Sequence, residues 1–201
     1  MGYTHYWYRP NELDHNLFGK AVADCRAVCE ALPIPLGDYA GEGTPEFSQE
    51  MVCFNGHIDS TSFARNGGLL WPADNAQGLA AVGTDPETGN VWCGGPLVSE
   101  RCVDDDGDGS YESFVVERIF EKLYDRQAPA REGWFAFCKT NFRPYDLCVQ
   151  CCLIAFKEHL GNAFQVHSDG SSQQWNETRD VCQHVLKYGL LFELDDRKGG
   201  A

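Results

Sequence analysis

Several features that would assign a chain to a common class are missing here. No apolar run approaches the ~20 residues that a membrane-spanning helix needs. Basic residues are scarce, since 16 Lys and Arg stand against 30 Asp and Glu, for a formal net charge of -14. Coating a nucleic acid requires clustered Lys and Arg to neutralise phosphates. The composition therefore argues against a membrane protein and against a protein that coats nucleic acid.

Recognisable catalytic and export signals are also missing. The sequence contains no GxSxG, HExxH, P-loop or GxGxxG motif, so no motif fixes a reaction. We therefore favour a binding role over an enzymatic one. The N-terminal residues have neither the basic nor the apolar region of a secretory signal. We expect a cytoplasmic protein of a bacterial host cell, with a place in a virion as the alternative.

The 10 cysteines are predicted to be reduced thiols that fill the core. A chain without an export signal meets a reducing compartment, and free cysteine packs as a small hydrophobic residue. Most of the cysteines fall within helical or strand patterns, and no matched CxxC pairs suggest a zinc site. Cys93 and Cys102 are the exception, because they lie in a loop-rich region where they can form a local disulfide.

The order of periodic segments predicts one α+β domain over residues 1–201. Its mixed or antiparallel sheet carries about three helices, and a glycine-rich insertion of short strands and loops spans about 60–108. Asn11 is the predicted cap of the first helix, and the Asn55-Gly56 pair predicts a turn after a short strand. The stretch TDPETGN is the predicted turn of a hairpin in the insertion, and LLFELD is a candidate final strand.

Three junctions lead from a predicted strand into a predicted helix start. They lie at residues 8–11, 138–146 and 167–171, and helix starts present unpaired N–H groups that favour anions. If the strands point the same way, these junctions form a pocket for a polar or phosphorylated molecule. Alternatively, the same residues are ordinary helix caps and turns. The candidate ligand-binding residues are His5, Tyr6, Tyr8, Glu112, Lys139, Thr140, Arg143, Tyr145, Asp146, Ser168, Asp169 and Gly170.

The stretch DDDGDGSYE is the clearest metal signal. Asp104, Asp106 and Asp108, followed by Gly109, match the first half of a calcium loop, and Glu112 can supply a further ligand. The match then fails, because Val115 stands where a bidentate Glu is needed. Weak calcium binding and a solvated acidic turn are the two interpretations that remain.

Several short blocks resemble one family. The segments MGYTHY, FCKTNFRPYD and SDG are similar to those of uncharacterised bacteriophage and bacterial proteins that begin with MGYTHY and carry FCKT-x3-PYD and SDG blocks. The resemblance covers the start of the chain and roughly its last half, but not the insertion. It implies a phage or bacterial context and a shared set of core residues, and it implies no activity.

Three functional hypotheses follow. In the first, the chain binds a polar or nucleotide-like ligand: Tyr6, Trp7 and Tyr8 stack on a ring, Lys139 and Arg143 meet phosphate, and Asp169 accepts hydrogen bonds from a sugar. The second is a hydrolase that uses His5, Glu112 or Asp169 as acid or base. The third is a structural or interaction protein, of a virion or in contact with the host, whose insertion at 60–108 forms the contact surface for a protein partner.

Overall fold

Three helices and three antiparallel sheets form the described part of the chain, which confirms the predicted α+β fold. The computed structural model describes residues 3–32, 34–60, 101, 106–120 and 133–196, together with the backbone of 69–70, 82–84 and 91–93. The helices are α1 (His15–Ala31), α2 (Asp146–Leu160) and α3 (Asn176–Leu186). Within these residues, no helix has the length and hydropathy needed to cross a bilayer.

The first sheet has β1 (Thr4–Arg9) at its centre, between β9 (Trp134–Lys139) and β10 (Gln165–Ser168). Side chains along β1 are alternately half-buried and buried, as the period of two in a strand requires. His5, Trp7 and Arg9 form the buried set. The first sheet therefore has an inner face that meets the helices and an outer face that is only partly covered.

The second sheet is built around β4 (Met51–Gly56). β2 (Leu36–Gly37) and β3 (Glu46–Phe47) pair with one edge of β4, and β8 (Phe114–Glu117) pairs with it as well, all antiparallel. The predicted Asn-Gly turn is wrong, because Gly56 is still within β4 and pairs with Leu36. The Asn55 side chain instead bonds Tyr111, accepting from its N–H and donating to its carbonyl.

The helices enclose the core, with α2 at its centre. Nearly every α2 side chain is buried, which explains why its apolar residues lack a one-sided pattern. α1 begins at His15 and buries the face that carries Phe18, Cys25 and Cys29. All eight cysteines whose side chains are described are free and buried, as predicted: Cys25, Cys29, Cys53, Cys138, Cys148, Cys151, Cys152 and Cys182.

Two predictions, one about the start of the first helix and one about a final strand, are wrong. Asp14, and not Asn11, caps α1, because its carboxylate accepts the N–H groups of Asn16 and Leu17 at 3.0 Å. Asn11 lies instead in a bend before α1, and its carbonyl accepts the N–H of Phe120. The predicted final strand is not formed, since the segment LLFELD makes a turn, in which the Phe192 N–H donates to the Gly189 carbonyl, and a single backbone hydrogen bond to β10, from Asp195 to Val166.

The insertion contributes a third sheet of short strands. β6 (Val82–Thr84) and β7 (Val91–Cys93) pair antiparallel, as the predicted hairpin requires, and β5 (Leu69–Leu70) pairs with the other edge of β7. The predicted Cys93–Cys102 disulfide lies outside the described residues.

Two glycines that differ in their surroundings give a direct test of the packing. A Cβ added at Gly56 would lie 1.9 Å from the carbonyl oxygen of Gly109, whereas one added at Gly19 in α1 meets nothing within 4 Å. We expect Gly56→Ala to lower the free energy of unfolding by about 1–3 kcal/mol, since backbone must shift. Gly19→Ala should raise it by about 0.5–1 kcal/mol, because alanine is the better helix former. Urea denaturation measures both, and equal effects would contradict the described packing.

Candidate functional site

Most of the predicted site residues lie at one end of the first sheet, on its two opposite faces, whereas Tyr8 lies toward the other end. Directly paired residues of an antiparallel sheet share a face. His5 pairs with Cys138 and Ser168, and all three are buried on the inner face. Tyr6 pairs with Phe137 and His167 on the outer face, and Lys139 joins them there opposite Thr4.

One of the three predicted junctions lies away from the other two. Because β9 and β10 both run antiparallel to β1, their carboxyl ends meet beside the start of β1. The junction at residues 8–11 therefore lies at the opposite end of the sheet. The expectation that all three junctions form one pocket is wrong.

A buried polar network occupies the inner side of this end. His5 Nε2 lies 2.7 Å from Asp146 Oδ1, and His5 Nδ1 lies 3.0 Å from Ser168 Oγ. An ionised carboxylate can only accept, so Nε2 carries the proton that binds Asp146. Thr140 donates its hydroxyl to the same carboxylate oxygen. Asp146 is thus held by β1, by the end of β9 and by its own helix, and its side chain does not serve as a helix cap.

Arg101 completes this network from the insertion. Its Nε donates to Asp146 Oδ2 at 2.9 Å, Nη1 donates to Glu177 at 2.8 Å, and Nη2 donates to Gln150 at 3.2 Å. Gln150 in turn donates to the hydroxyl of Tyr3 at 3.2 Å. Sequence reasoning missed Arg101, Gln150 and Glu177. A lone arginine in a loop-rich stretch carries no periodic signal, and the helical pattern around Gln150 marked only its apolar neighbours.

The Asp146 carboxylate is ionised although it is fully buried. Burial alone would raise its pKa, but the charge of Arg101 and the hydrogen bonds from His5 and Thr140 outweigh burial and hold the pKa at about 2. Burial, together with the charge of the same carboxylate, raises the pKa of Tyr3. The network is therefore a compensated set of buried charges, which stabilises only while all partners are present.

Ser168, His5 and Asp146 are hydrogen-bonded one to the next, as the nucleophile, the base and the orienting acid are in hydrolases. However, His5 and Asp146 have no exposed surface, and Ser168 is 9% exposed. Ser168 Oγ also accepts the N–H of Gly170 at 2.9 Å. A substrate would need access to these atoms, so within the described residues this arrangement links β1, β10 and α2 and does not form an open active site.

The pKa of Asp146 predicts how stability varies with acid pH. A carboxyl whose pKa is depressed by folding contributes stability above its unfolded value of 3.8 and loses it as pH falls toward about 2. We expect ionised Asp146 to contribute about 2 kcal/mol to the free energy of unfolding at pH 5, and we expect most of this contribution to be lost near pH 2. The difference in unfolding free energy between wild type and Asp146→Asn isolates it, and a difference that does not shrink below pH 4 would contradict the assignment.

Tyr145 and Glu112 join the end of β9 to the segment that precedes β8. The Tyr145 hydroxyl donates to the Glu112 carbonyl at 2.6 Å, and the Glu112 carboxylate accepts the N–H of Lys139 at 2.8 Å. Burial raises the pKa of the Tyr145 hydroxyl, so it stays protonated as a donor. Both predicted site residues therefore hold the segment before β8 against the end of β9.

A tight turn follows β9. The Arg143 N–H donates to the Thr140 carbonyl at 2.9 Å, and the two residues between them have positive φ, 51° at Asn141 and 57° at Phe142. Left-handed backbone costs a bulky residue about 1–2 kcal/mol. The Phe142 ring stacks on Tyr3 at a centroid distance of 3.9 Å, which offsets that cost. Gly170 also adjoins Tyr3, since a Cβ there would lie 2.2 Å from its hydroxyl oxygen.

Aromatic rings cover the outer face of the first sheet. Tyr8 and Phe135 have centroids 5.3 Å apart, Phe135 and Phe137 5.8 Å, and Tyr8 and His167 5.6 Å. Phe135 is 41% exposed and Phe137 52%, which is unusual for large apolar side chains. We call this surface the aromatic face, and it consists of Tyr6, Tyr8, Phe135, Phe137 and His167.

Polar side chains border the aromatic face at the end where the two strand ends meet. The Tyr6 hydroxyl donates to Asp169, and Lys139 lies with its Nζ 5.4 Å from the centroid of Tyr111. Tyr6, Tyr8, Lys139 and Asp169 are therefore the predicted residues that the structure brings together on one surface. Trp7 is not part of it, because it lies on the inner face with 1% exposure. Sequence reasoning missed Phe135 and Phe137, although the alternation in WFAF could have indicated them.

A cleft of about 910 Å³ opens beside the aromatic face, between the first and second sheets. Phe135 and Phe137 form one wall, and Met51, Cys53 and Val115 contribute to another. Its volume lies within the range of small-molecule sites. Its charged lining is mainly acidic: Asp38, Glu46 and Glu117, with the buried Arg9.

Arg9 also lines this cleft, and its guanidinium is hydrogen-bonded to backbone carbonyls. Its guanidinium donates to the carbonyls of Pro10, Asn11, Glu117 and Arg118. Burial lowers its pKa to about 10, so it remains charged at neutral pH. Arg9 therefore joins the two sheets at this end, together with backbone hydrogen bonds such as that from Phe120 to Asn11.

The acidic loop gives no metal site among the residues described. Asp104 lies outside them, and no three His, Cys, Asp or Glu side chains in the described ranges converge on a metal. Asp108 accepts the N–H of Ser110 at 2.7 Å, as in an ordinary Asx turn. The Glu112 carboxylate accepts the backbone N–H of Lys139. Calcium binding stays a prediction.

Comparison of this chain with protein-family models, with curated proteins and with solved structures gave no match. The resemblance to phage and bacterial proteins therefore stays a prediction, and the function must be argued from geometry.

Proposed function

We propose that this protein binds a small polar ligand with a planar ring, of the nucleotide-like class, on the aromatic face. One observation carries the proposal: two phenylalanine rings lie exposed in a row of aromatic side chains, with Lys139 and Asp169 at the end of that row. Exposed aromatic rings on a sheet are surfaces on which bases stack, at about 1–3 kcal/mol per base.

Each part of the ligand has a partner of matching chemistry. The ring stacks on Phe135 and Phe137, and the adjoining cleft receives its edge, where carboxylates accept hydrogen bonds from N–H groups. Lys139 supplies the cation for a phosphate, and Asp169 accepts hydrogen bonds from a sugar. The acidic surroundings favour a single small molecule over a polymer, because a polymer requires many phosphate contacts.

The other two hypotheses gain no specific support within the described residues. A hydrolase that uses His5 would need access to a side chain with 0% exposure. For an interaction protein that uses residues 60–108, the contact surface lies almost wholly outside the described side chains. Binding in the cytoplasm of a bacterial cell, in a phage or bacterial context, remains part of our proposal.

Calorimetric titration with nucleosides and with mono-, di- and cyclic nucleotides tests the proposal. We expect Phe137→Ala to weaken binding about tenfold to a hundredfold, the equivalent of one lost stacking contact. Phe137→Leu keeps apolar area without the aromatic ring and should lose most of that affinity as well. Leu191→Ala removes a side chain that is 94% exposed elsewhere and serves as the matched control.

The role of Lys139 is tested separately. Lys139→Gln should weaken binding of nucleotides and leave nucleosides unchanged, since only the former carry phosphate. If no compound in this set binds, or if Phe137→Ala binds as tightly as wild type, the proposal is wrong.

A further inference from the structure

The interface of α1 with α2 holds a group of thiols that the binding proposal does not use. Cys29 on α1 lies with its Sγ 3.9 Å from the Sγ of Cys152 on α2. Cys152 is fully buried, whereas Cys29 is 7% exposed. The two residues therefore differ in access, although their sulfurs are in contact.

Cys29 is reached from a surface cleft of about 360 Å³. Arg26 and Phe47 line this cleft together with Cys29, and the Arg26 guanidinium donates to the Phe47 carbonyl at 2.6 Å. The cleft places a cation one helical turn from the thiol. Glu30 lines the same cleft, so the charges of Arg26 and Glu30 balance each other there. The cleft contributes a path from the surface to Cys29, although that side chain is largely buried.

We propose that Cys29 is an oxidation site for small hydroperoxides and that Cys152 resolves its sulfenic acid into an interhelical disulfide. Disulfide sulfurs lie about 2.05 Å apart, so the two Sγ atoms must approach by somewhat less than 2 Å, which side-chain rotation and small helix shifts supply. Sensor cysteines commonly pair an accessible thiolate with a neighbouring resolving cysteine.

The ionisation of the two thiols fits these roles. Burial alone would raise the pKa of Cys29, but hydrogen bonds from the Cys148 and Cys152 thiols outweigh burial and lower that pKa to about 6. Burial raises the pKa of Cys152 well above its ordinary value. The lowered pKa of Cys29 favours it as the nucleophile, and the raised pKa of Cys152 lets that thiol keep the proton that the second step releases.

The chemistry balances with the hydroperoxide as oxidant. The Cys29 thiolate attacks one peroxide oxygen, forming an S–O bond while the O–O bond breaks and hydroxide leaves. Cys152 then attacks the Cys29 sulfur, forming the S–S bond, and the sulfenic hydroxyl leaves with the Cys152 proton as water. The proton that Cys29 lost on ionising neutralises the hydroxide. With hydrogen peroxide, two thiols and one peroxide give one disulfide and two waters.

Mass spectrometry of the folded full-length chain after treatment with hydrogen peroxide tests the inference. The chain carries Cys93→Ser and Cys102→Ser, so that the cysteines of the insertion do not contribute. We expect the intact mass to fall by two hydrogens and peptide mapping to join Cys29 to Cys152. Retention of all core thiols, or a disulfide between any other pair, would overturn the inference.

Two variants separate the steps. Cys152→Ala should leave a sulfenic acid on Cys29 that a 1,3-dione probe captures, with no disulfide formed. Cys182→Ala removes an equally buried thiol that contacts the carbonyl of Cys151, and it should leave the Cys29–Cys152 disulfide unchanged. If either variant fails to fold, the peptide map of the parent chain still decides between the two outcomes.

Discussion

Asp146→Ala should lower the free energy of unfolding by about 3–5 kcal/mol, the loss typical of removing one partner of a buried ion pair. The carboxylate accepts hydrogen bonds from His5, Thr140 and Arg101, and all of these side chains are buried. Without it, the buried guanidinium of Arg101 loses the carboxylate that lies 2.9 Å from its Nε, while its ion pair with Glu177 remains. Urea denaturation followed by circular dichroism measures the change.

The matched control is an exposed ion pair in the same protein. Arg118 bonds Glu50 at 2.9 Å, but the Glu50 side chain is 64% exposed. Solvent-exposed pairs of this kind contribute at most about 1 kcal/mol, so Glu50→Ala should have a small effect. Equal losses for Asp146→Ala and Glu50→Ala would show that the buried network does not hold this end of the first sheet together.

Trp7→Ala should lower the free energy of unfolding by about 3–5 kcal/mol, as large aromatic truncations in protein cores do. The ring is 1% exposed on the inner face and packs against Phe114 of the second sheet, with centroids 5.3 Å apart, and against Phe164, at 6.3 Å. Its Nε1 has no hydrogen-bond partner among the residues described, so the loss comes from packing. Thermal and urea unfolding measure it.

Phe137→Ala is the control for this second prediction. Phe137 lies on the neighbouring strand but on the outer face, and it is 52% exposed. Its truncation should change the unfolding free energy by less than about 1 kcal/mol, because little buried area is lost. Comparable losses for Trp7→Ala and Phe137→Ala would contradict the assignment of inner and outer faces, and with it the aromatic face.

The sequence predicted those features that depend on local pattern. Alternation along β1 places Trp7 on the face opposite Tyr6 and Tyr8, because side chains of a strand point to opposite faces, so the hypothesis that all three stack on one ring is wrong for Trp7. Pro144 and Gly161 flank α2, as a proline near a helix start and a glycine after its end do, and the turn TDPETGN predicts the hairpin in the insertion. Each of these signals lies within a few residues of the element that it predicts.

Features that depend on distant contacts could not be predicted in this way. Asn55-Gly56 is a frequent turn pair, yet Gly56 stays in a strand because it packs against Gly109. Arg101 joins Asp146 across 45 residues, and no spacing indicates such a contact. The predicted pocket depended on strand directions, and the antiparallel order of β9, β1 and β10 places one junction at the far end.

The proposed function depends on the binding of a ring-bearing polar ligand to the aromatic face. NMR spectra of protein labelled in the phenylalanine rings, recorded during a nucleotide titration, test it most directly. We expect saturable shifts of Phe135 and Phe137, while the buried rings of Phe114 and Phe156 stay unchanged. Saturable binding that leaves Phe135 and Phe137 unperturbed, or no binding at all, would contradict it.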